Sequence, residues 1–293
     1  MTFNIRYGTA PDGDDAWPIR RPLALRVMGD FGPAVLGLQE ALRSQLDDIA
    51  RAMPTYGEVG VGRDDGARAG EYAAILYDRH RLNLLADGRF WLSDTPEVPG
   101  SMTWGNRFPR IVTWARFADR VTSETFTVFN THWDHESPPS REASARLLLE
   151  RIVARPAPED PVLVMGDLNC GEGDPAFKAL IAPPPPQEPL EAYLGNRAPG
   201  TVHLVETFRT LYPSAAKVGT FHAFRGDRGG PKIDFVLVAA SPGKQWKVLG
   251  ADIVHTSAAG RYPSDHFPVT ATLTIADVEV SPVVPLTTRL PVE

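Results

Sequence analysis

The chain has 293 residues, enough to bury a core without disulfide or metal staples, and its 43% hydrophobic and 23% charged residues are ordinary for a soluble globular protein. Thirty Lys and Arg against 36 Asp and Glu give a net charge of -6, which argues against a general nucleic-acid coat but leaves room for a small anionic substrate held by a few local cations. The single cysteine, Cys170, excludes an intramolecular disulfide and a cysteine-rich zinc site, and no run approaches the roughly 20 apolar residues of a membrane span.

In chain order, a strand is predicted at Met1–Arg6, helical spacing at Arg21–Phe31, a strand at Val35–Gln39 and a helix at Arg43–Met53. Strands follow at Tyr72–Tyr77, Gly88–Leu92, Ile111–Phe117 and Thr125–Asn130. The best helical pattern is Ser140–Arg155, where Ala143, Leu147, Leu148 and Ile152 share a face. A strand at Val162–Met165 precedes a short helix at Pro175–Leu180, with Asp174 as its N-cap. The last strands are Ile233–Val238, Lys247–Val254 and Val269–Ile275. Strands outnumber helices, so two sheets packed face to face, with helices on their outer faces, fit better than one doubly wound sheet. The Pro183–Pro186 run reads as a stiff surface loop, and residues 276–293, rich in Pro, Val and Thr, read as an extended or disordered tail after a single domain of residues 1–275. The chain opens inside a strand with no signal peptide, so a soluble, cytoplasmic protein is expected, with export open if the start is trimmed.

The polar residues that stand out sit at strand ends, where a rigid strand fixes a side chain and the loop leaves it open. Glu40 closes VLGLQE and reads equally as a site acid and as an acid favoured by the dipole of the helix that follows. Asp167 and Asn169 close VLVMGDLN, two apart and pointing the same way, with Gly166 permitting a tight turn; the alternative is an Asx-turn that merely ends the strand. Asp265 and His266 stand in YPSDHFPV, where a carboxylate partner would make the histidine a base or a phosphate donor. His132 closes a strand in FTVFNTHWDH, and Asp234 in KIDFVLV has apolar neighbours and needs a partner. Glu71 opens a strand in GEYAAILY, and Arg110 before IVTWARF is a candidate phosphate clamp. With Asn4, these residues form an ordered series of hard oxygen donors with two histidines and no thiolate. That composition points to a Mg²⁺-type site and metal-assisted hydrolysis of a phosphoric ester. Trp17, Trp91, Trp104 and Trp133 read either as an aromatic wall beside such a site or as packing residues.

LQE, GDLN, KIDFV and SDHFPV, in this order and spacing, resemble the endonuclease/exonuclease/phosphatase superfamily, metal-dependent phosphoesterases that include pancreatic deoxyribonuclease, abasic-site endonucleases, neutral sphingomyelinases and nocturnin-like deadenylases. The resemblance covers nearly the whole chain. It implies an α/β fold, a four-layer α-β-β-α sandwich of two packed mixed sheets like that of deoxyribonuclease I. It implies Glu40 as principal ligand of Mg²⁺ or Mn²⁺, with Asn4 and Asp265 completing the shell and Asp167 in reach. Asp167 and Asn169 would orient the attacking water and contact the phosphate. His266 would stand at the scissile phosphate, held by Asp234, and His132 would be the second histidine, with Glu71 as its carboxylate partner. Arg110 would contact phosphate. Segments such as NIRYG, DDAWPIRR, GVGRDDG and NTHWDH look most like a bacterial subgroup of undefined substrate, with Trp104 and Trp133 as substrate-stacking candidates.

The expected activity is hydrolysis of a phosphodiester or phosphomonoester in a small or medium substrate, whether a phosphorylated small molecule, a lipid or a nucleotide, by a monomer. A nuclease is the alternative; it would need a local basic strip, for which Arg107, Arg110, Arg225, Arg228 and Lys232 are candidates. A non-catalytic phosphate-binding module ranks last, because Glu40, Asp167, Asp265 and His266 are all present.

Overall fold

The computed structural model describes residues 1–181 and 202–278. The proline run and the part of the expected tail beyond residue 278 lie outside the described residues. Among the described residues, twelve strands form two six-stranded mixed sheets. The first contains β1 (Thr2–Asn4), β2 (Val35–Gln39), β3 (Tyr56–Val59), β4 (Ile75–Asp78), β11 (Lys244–Ile253) and β12 (Val269–Asp277), in the spatial order β11-β12-β1-β2-β4-β3. The second contains β5 (Leu82–Trp91), β6 (Ile111–Asp119), β7 (Thr125–His132), β8 (Val162–Asp167), β9 (Val205–Glu206) and β10 (Asp234–Ala239), in the order β5-β6-β7-β8-β10-β9. Each sheet has one parallel pair, β1 with β2 and β7 with β8. The crossovers that parallel pairing requires are the helices α1 (Trp17–Phe31) and α3 (Pro138–Val153). Also helical are α2 (Arg43–Ala52), α4 (Pro175–Ile181) and α5 (Thr207–Leu211).

Three apolar clusters give the layering. Phe3, Leu36 and Leu38 of the first sheet pack under Met28 of α1 and Leu46 and Ile49 of α2. Phe129, Val164 and Phe235 of the second sheet pack under Leu148 and Ile152 of α3 and Phe177 of α4. Between the sheets lie Val35, Val128, Leu163, Met165, Val236 and Val269. The central strands are buried on both faces, which is why they read as continuous apolar runs. The result is the four-layer sandwich of two mixed sheets that the resemblance implies.

Two local features bring strands close. A Cβ on Gly37 would lie 2.4 Å from Met165 Sδ, so glycine there lets the sheets approach. Gly166 has φ +152°, and a Cβ on it would lie 2.0 Å from Thr131 O. It stands inside β8 against β7, so it serves close strand packing and not the tight turn expected of it. A polar bridge crosses the interior: Gln39 Nε2 donates to Asn130 Oδ1 at 2.7 Å, and Asn130 Nδ2 donates to the carbonyls of Leu38 and Ala74.

Element boundaries differ from expectation where prolines or exposure hide the pattern. α1 starts at Trp17, four residues before the predicted start, with Pro18 in its first turn and Pro22 inside it. β5 starts at Leu82 because its first half alternates buried and exposed residues at a sheet edge, and the short, half-exposed β3 lacks an apolar run. β1 ends at Asn4, since Arg6 adopts φ +54°. β12 continues to Asp277, so the folded domain passes the predicted boundary at residue 275.

Candidate active site

Strand periodicity and register build the site. Alternation turns Leu163 and Met165 toward the other sheet, and Asp167 follows on the same face; likewise Val128 leads to His132, and Val236 and Val238 share a face with Asp234. The register pairs His132 with Asp167 and Asp167 with Asp234, so three adjacent strands present these side chains in one lateral row. In the first sheet, Asn4 pairs with Gln39, and Glu40 comes next. Asn4 Nδ2 joins the sheets, donating to Asp167 Oδ2 at 2.9 Å and to Glu40 Oε1 at 3.1 Å.

These residues meet at a cleft of about 630 Å³. Glu40, Glu71, Arg110, His132, Asp167, Asn169, Asp265 and His266 line it, while Asn4 and Asp234 lie buried beneath. Three residues on its wall, Arg6, Glu40 and Asn169, have left-handed φ of 54°, 59° and 48°. Such conformations cost about 1 kcal/mol or more for residues other than Gly and Asn, and they concentrate at functional sites.

On the acidic side, Glu40 Oε2 accepts from the backbone N–H of Tyr7 at 3.1 Å. Asn4 Oδ1 accepts from the N–H of Arg6 at 3.0 Å. Asp265 Oδ1 accepts from Ser264 Oγ at 3.1 Å, and its Oδ2 lies 3.8 Å from Arg6 Nε. Arg6 is itself drawn away by a two-pronged contact with Asp12 at 3.0 and 3.1 Å. Glu40, Asp265 and Asp167 line the cleft with carboxylate oxygens and no thiolate, and the Asn4 amide lies beneath them with Nδ2 facing Glu40 and Asp167; the chemistry of these donors fits Mg²⁺ or Mn²⁺. Asp167, Asp234 and His266 also form a buried group whose ligand atoms lie within 4.8 Å of one another, and this group could hold a metal ion. His266 Nδ1 already shares a proton with Asp234 Oδ2 at 2.9 Å, so we read that group as a hydrogen-bonded pair beside the acid cluster.

Burial opposes a charge on His266, but Asp234 and Asp167 outweigh it and hold the imidazole well above its usual 6.5. Burial, then the charge of Asp234, pushes Asp167 up to about 7. His266 Nε2 is 3.8 Å from Asp167 Oδ2. His132 is the opposite case: burial, then the cations of Arg110 and Arg63, hold it well below its usual value, so it is neutral. Asn169 fixes its tautomer. Asn169 Nδ2 donates to Trp133 O at 3.0 Å, and its other N–H points to His132 Nε2 at 2.9 Å, which must be the unprotonated nitrogen. The proton is on Nδ1, which has no hydrogen-bond partner.

Glu71 does not hold His132 as expected. Its carboxylate is taken in a bidentate pair by Arg63, at 2.7 and 2.9 Å, and stays 3.9 Å from His132 Nδ1. Arg110 is buried in the cleft wall. Its Nη2 donates to His135 Nδ1 at 2.9 Å, while Nη1 and Nε lack hydrogen-bond partners. Nε lies 3.6 Å from the buried carboxylate of Asp134, so Nη1 is the N–H group of this desolvated guanidinium left for an anion.

The tryptophan expectation is corrected. Trp133 follows His132, so alternation sends it to the opposite face, where it is fully buried under α3 and cannot stack on a substrate. Trp104 packs against the same cluster, donates from Nε1 to Asp94 at 2.7 Å and does not line the cleft. Trp17 and Trp91 are buried as well. The aromatic lining is instead Tyr7, Phe108 and Phe221. The basic strip is reduced: Lys232 is buried against Glu206, and Arg107 lies 3.7 Å from Glu136. Sequence reasoning missed Arg63, Phe108 and His135; the only signal was their place in the GVGRDDG and NTHWDH segments and beside Arg110.

The model of the endonuclease/exonuclease/phosphatase family matches residues 1–266. A crystal structure of a protein of that family from Bacteroides thetaiotaomicron is 29% identical, covering 94% of this chain and 97% of its own at a TM-score of 0.78. A mannosyl-6-phosphatase from the same species is also 29% identical, covering 93% and 98% at a TM-score of 0.77. The human Nocturnin catalytic domain with bound sulfate is 16% identical at a TM-score of 0.67 over 94% of this chain and 93% of its own, a likeness of fold alone. Among curated proteins, an uncharacterized protein of Acanthamoeba polyphaga mimivirus is 28% identical over 163 residues, which span 53% of this chain and 60% of that relative.

Proposed function

The chain belongs to the endonuclease/exonuclease/phosphatase family, and on that premise we propose that it hydrolyses a phosphoric ester of a small phosphorylated substrate, with Mg²⁺ or Mn²⁺ held by Glu40, Asn4 and Asp265. The observation that carries this reading is the meeting, in one cleft, of that acid cluster with the Asp234–His266 pair and the unpartnered Nη1 of Arg110. When bound, the cation supplies Lewis-acid polarisation of a phosphoryl oxygen.

Arg110 binds the non-bridging phosphate oxygens through Nη1. His266, kept protonated by Asp234, donates from Nε2 to a phosphate oxygen as charge develops there. Asp167, with a proton affinity near neutrality, accepts the proton of the attacking water on Oδ2. Asn169, its amide held by His132 Nε2 and Trp133 O, turns Oδ1 to that water and holds it in line. The water oxygen bonds to phosphorus, the ester P–O bond breaks, the leaving oxygen takes a proton from solvent water, and Asp167 returns its proton to solvent.

Three features support a small substrate over nucleic acid. The cleft holds about 630 Å³, the chain is acidic overall, and Lys232 is committed to a carboxylate. The 29% identity to a mannosyl-6-phosphatase over nearly all of both chains makes sugar phosphomonoesters the first compounds to test. The assay compares hexose 6-phosphates, p-nitrophenyl phosphate and bis-p-nitrophenyl phosphate with Mg²⁺, Mn²⁺ or EDTA. Metal-dependent phosphate release from a monoester is expected. Plasmid nicking with no release from small esters would overturn the substrate class, and release undiminished by EDTA would overturn the metal.

A further inference from the structure

The DDAWPIRR segment takes no part in the chemistry above, yet it places a guanidinium under the site. Arg20, in the first half of α1, is 3% exposed. Its Nη1 donates to the carbonyls of Ile5 at 2.6 Å and Pro263 at 3.1 Å, its Nη2 to that of Arg6 at 2.8 Å, and its Nε to that of Asp15 at 2.9 Å. Among the described residues no carboxylate makes an ion pair with it. All four acceptors are main-chain carbonyls, and the Trp17 and Phe224 rings lie 5.0 and 5.9 Å from the guanidinium. Burial accordingly pulls Arg20 down to about 10, with the more distant Asp265 and Asp12 opposing.

A charge buried without a counter-ion is costly, so the four bonds must accomplish something that an apolar residue would not. Three of the four carbonyls, those of Ile5, Arg6 and Pro263, lie within two residues of a proposed metal ligand. Ile5 follows Asn4, and the N–H of Arg6 donates to Asn4 Oδ1. Pro263 precedes Ser264, whose Oγ donates to Asn4 O at 2.7 Å and to Asp265 Oδ1 at 3.1 Å. One planar fork therefore spans the exit of β1 and the entry to the Asp265 loop, two segments that meet although Asn4 and Ser264 are 260 residues apart in sequence. We propose that Arg20 is a positioning residue that locks the β1 exit and the Pro263–Asp265 loop together, holding Asn4 and Asp265 at the spacing a cation shared with Glu40 requires. The proposal rests on the metal assignment above. Lysine could not replace it, since a single ammonium cannot serve carbonyls arrayed around a plane.

The test is calorimetric titration with Mn²⁺ of the wild type, Arg20→Gln and a control, Leu148→Ala, which opens a cavity in the apolar cluster under α3, a cluster that contains none of Asn4, Glu40 and Asp265. Arg20→Gln should weaken Mn²⁺ binding by about 10–100-fold, the usual effect of removing a group that orients ligands. Leu148→Ala should lose thermal stability and keep wild-type affinity. Arg20→Lys serves in the same way if Arg20→Gln does not fold. Wild-type affinity in the Arg20 variants would overturn the inference, as would an equal loss in Leu148→Ala. Absence of Mn²⁺ binding in the wild type would overturn the metal assignment itself, and this inference with it.

Discussion

Lys232 offers a sharp energetic test, because it is a buried cation paired with Glu206, a carboxylate that can be removed independently. Its Nζ donates to Glu206 Oε1 at 3.0 Å and to Asp234 O at 3.2 Å, lies 3.7 Å from the Phe235 ring centroid, and the two side chains are 2% and 5% exposed. Lys232→Met keeps most of the volume but leaves the Glu206 carboxylate buried without a cation, which costs about 3–5 kcal/mol. At about 2.1 cal/mol/K of unfolding entropy per residue, the 293-residue chain has about 0.6 kcal/mol/K, so the Tm should fall by about 5–8 °C. Adding Glu206→Leu removes the stranded charge. The double variant should recover most of the loss, short of about 1 kcal/mol, because Glu206 also caps α5 by accepting from the N–H of Arg209. Urea unfolding of the four members of the cycle measures the coupling. A double variant less stable than Lys232→Met would refute the reasoning, as would a Lys232→Met loss under about 1 kcal/mol.

Two further outcomes are expected. Asp234→Asn removes the nearest charge that raises His266, so the imidazole loses its proton at a lower pH and the fall of kcat on the alkaline side moves toward acid, with a loss of about 10²–10⁴-fold at neutral pH; an unchanged kcat–pH profile would exclude His266 as the proton donor to phosphate. His222 is 2% exposed, its ring centroid 3.9 Å from that of Phe267, and burial, then the nearby His266, holds it at about 4 against an ordinary 6.5, with Asp234 opposing and His255 adding to the shift. The unfolded chain binds this proton more readily, so stability is complete above pH 6.5 and about 3 kcal/mol is lost as the pH falls to 4; denaturant titrations of wild type and His222→Phe in EDTA should differ in this window, and parallel curves would show that His222 does not titrate there.

The sandwich is legible in the sequence because its central strands are buried on both faces and appear as apolar runs closed by an acid, as in VLGLQE and VLVMGDLN. Glu40, His132 and Asp167 are legible for the same reason, since each closes such a run, while Asp234, Asp265 and His266 stand just before or at the start of one. Their mutual geometry is not, because register is a relation between strands far apart in the chain. Glu71 shows the limit: its neighbour His132 can be expected from the order of motifs, but the competing Arg63 lies in a loop with no periodic signal. Trp133 was open to a better reading, since alternation from His132 places it on the far face. β3 and the first half of β5 escape because half-exposed edge strands lack the apolar run that marks the interior.

The lateral row His132–Asp167–Asp234 also constrains how this chain can change by descent. Loss or gain of a single codon within β8 would rotate Asp167 out of the row and toward the helices, because successive residues face opposite ways. A change of two codons would keep the face but slide the carboxylate by about 6.8 Å, past both neighbours. Length variation among descendants should therefore gather in loops and be absent from β7, β8 and β10, leaving these three segments as fixed rulers against which the rest of the gene can drift.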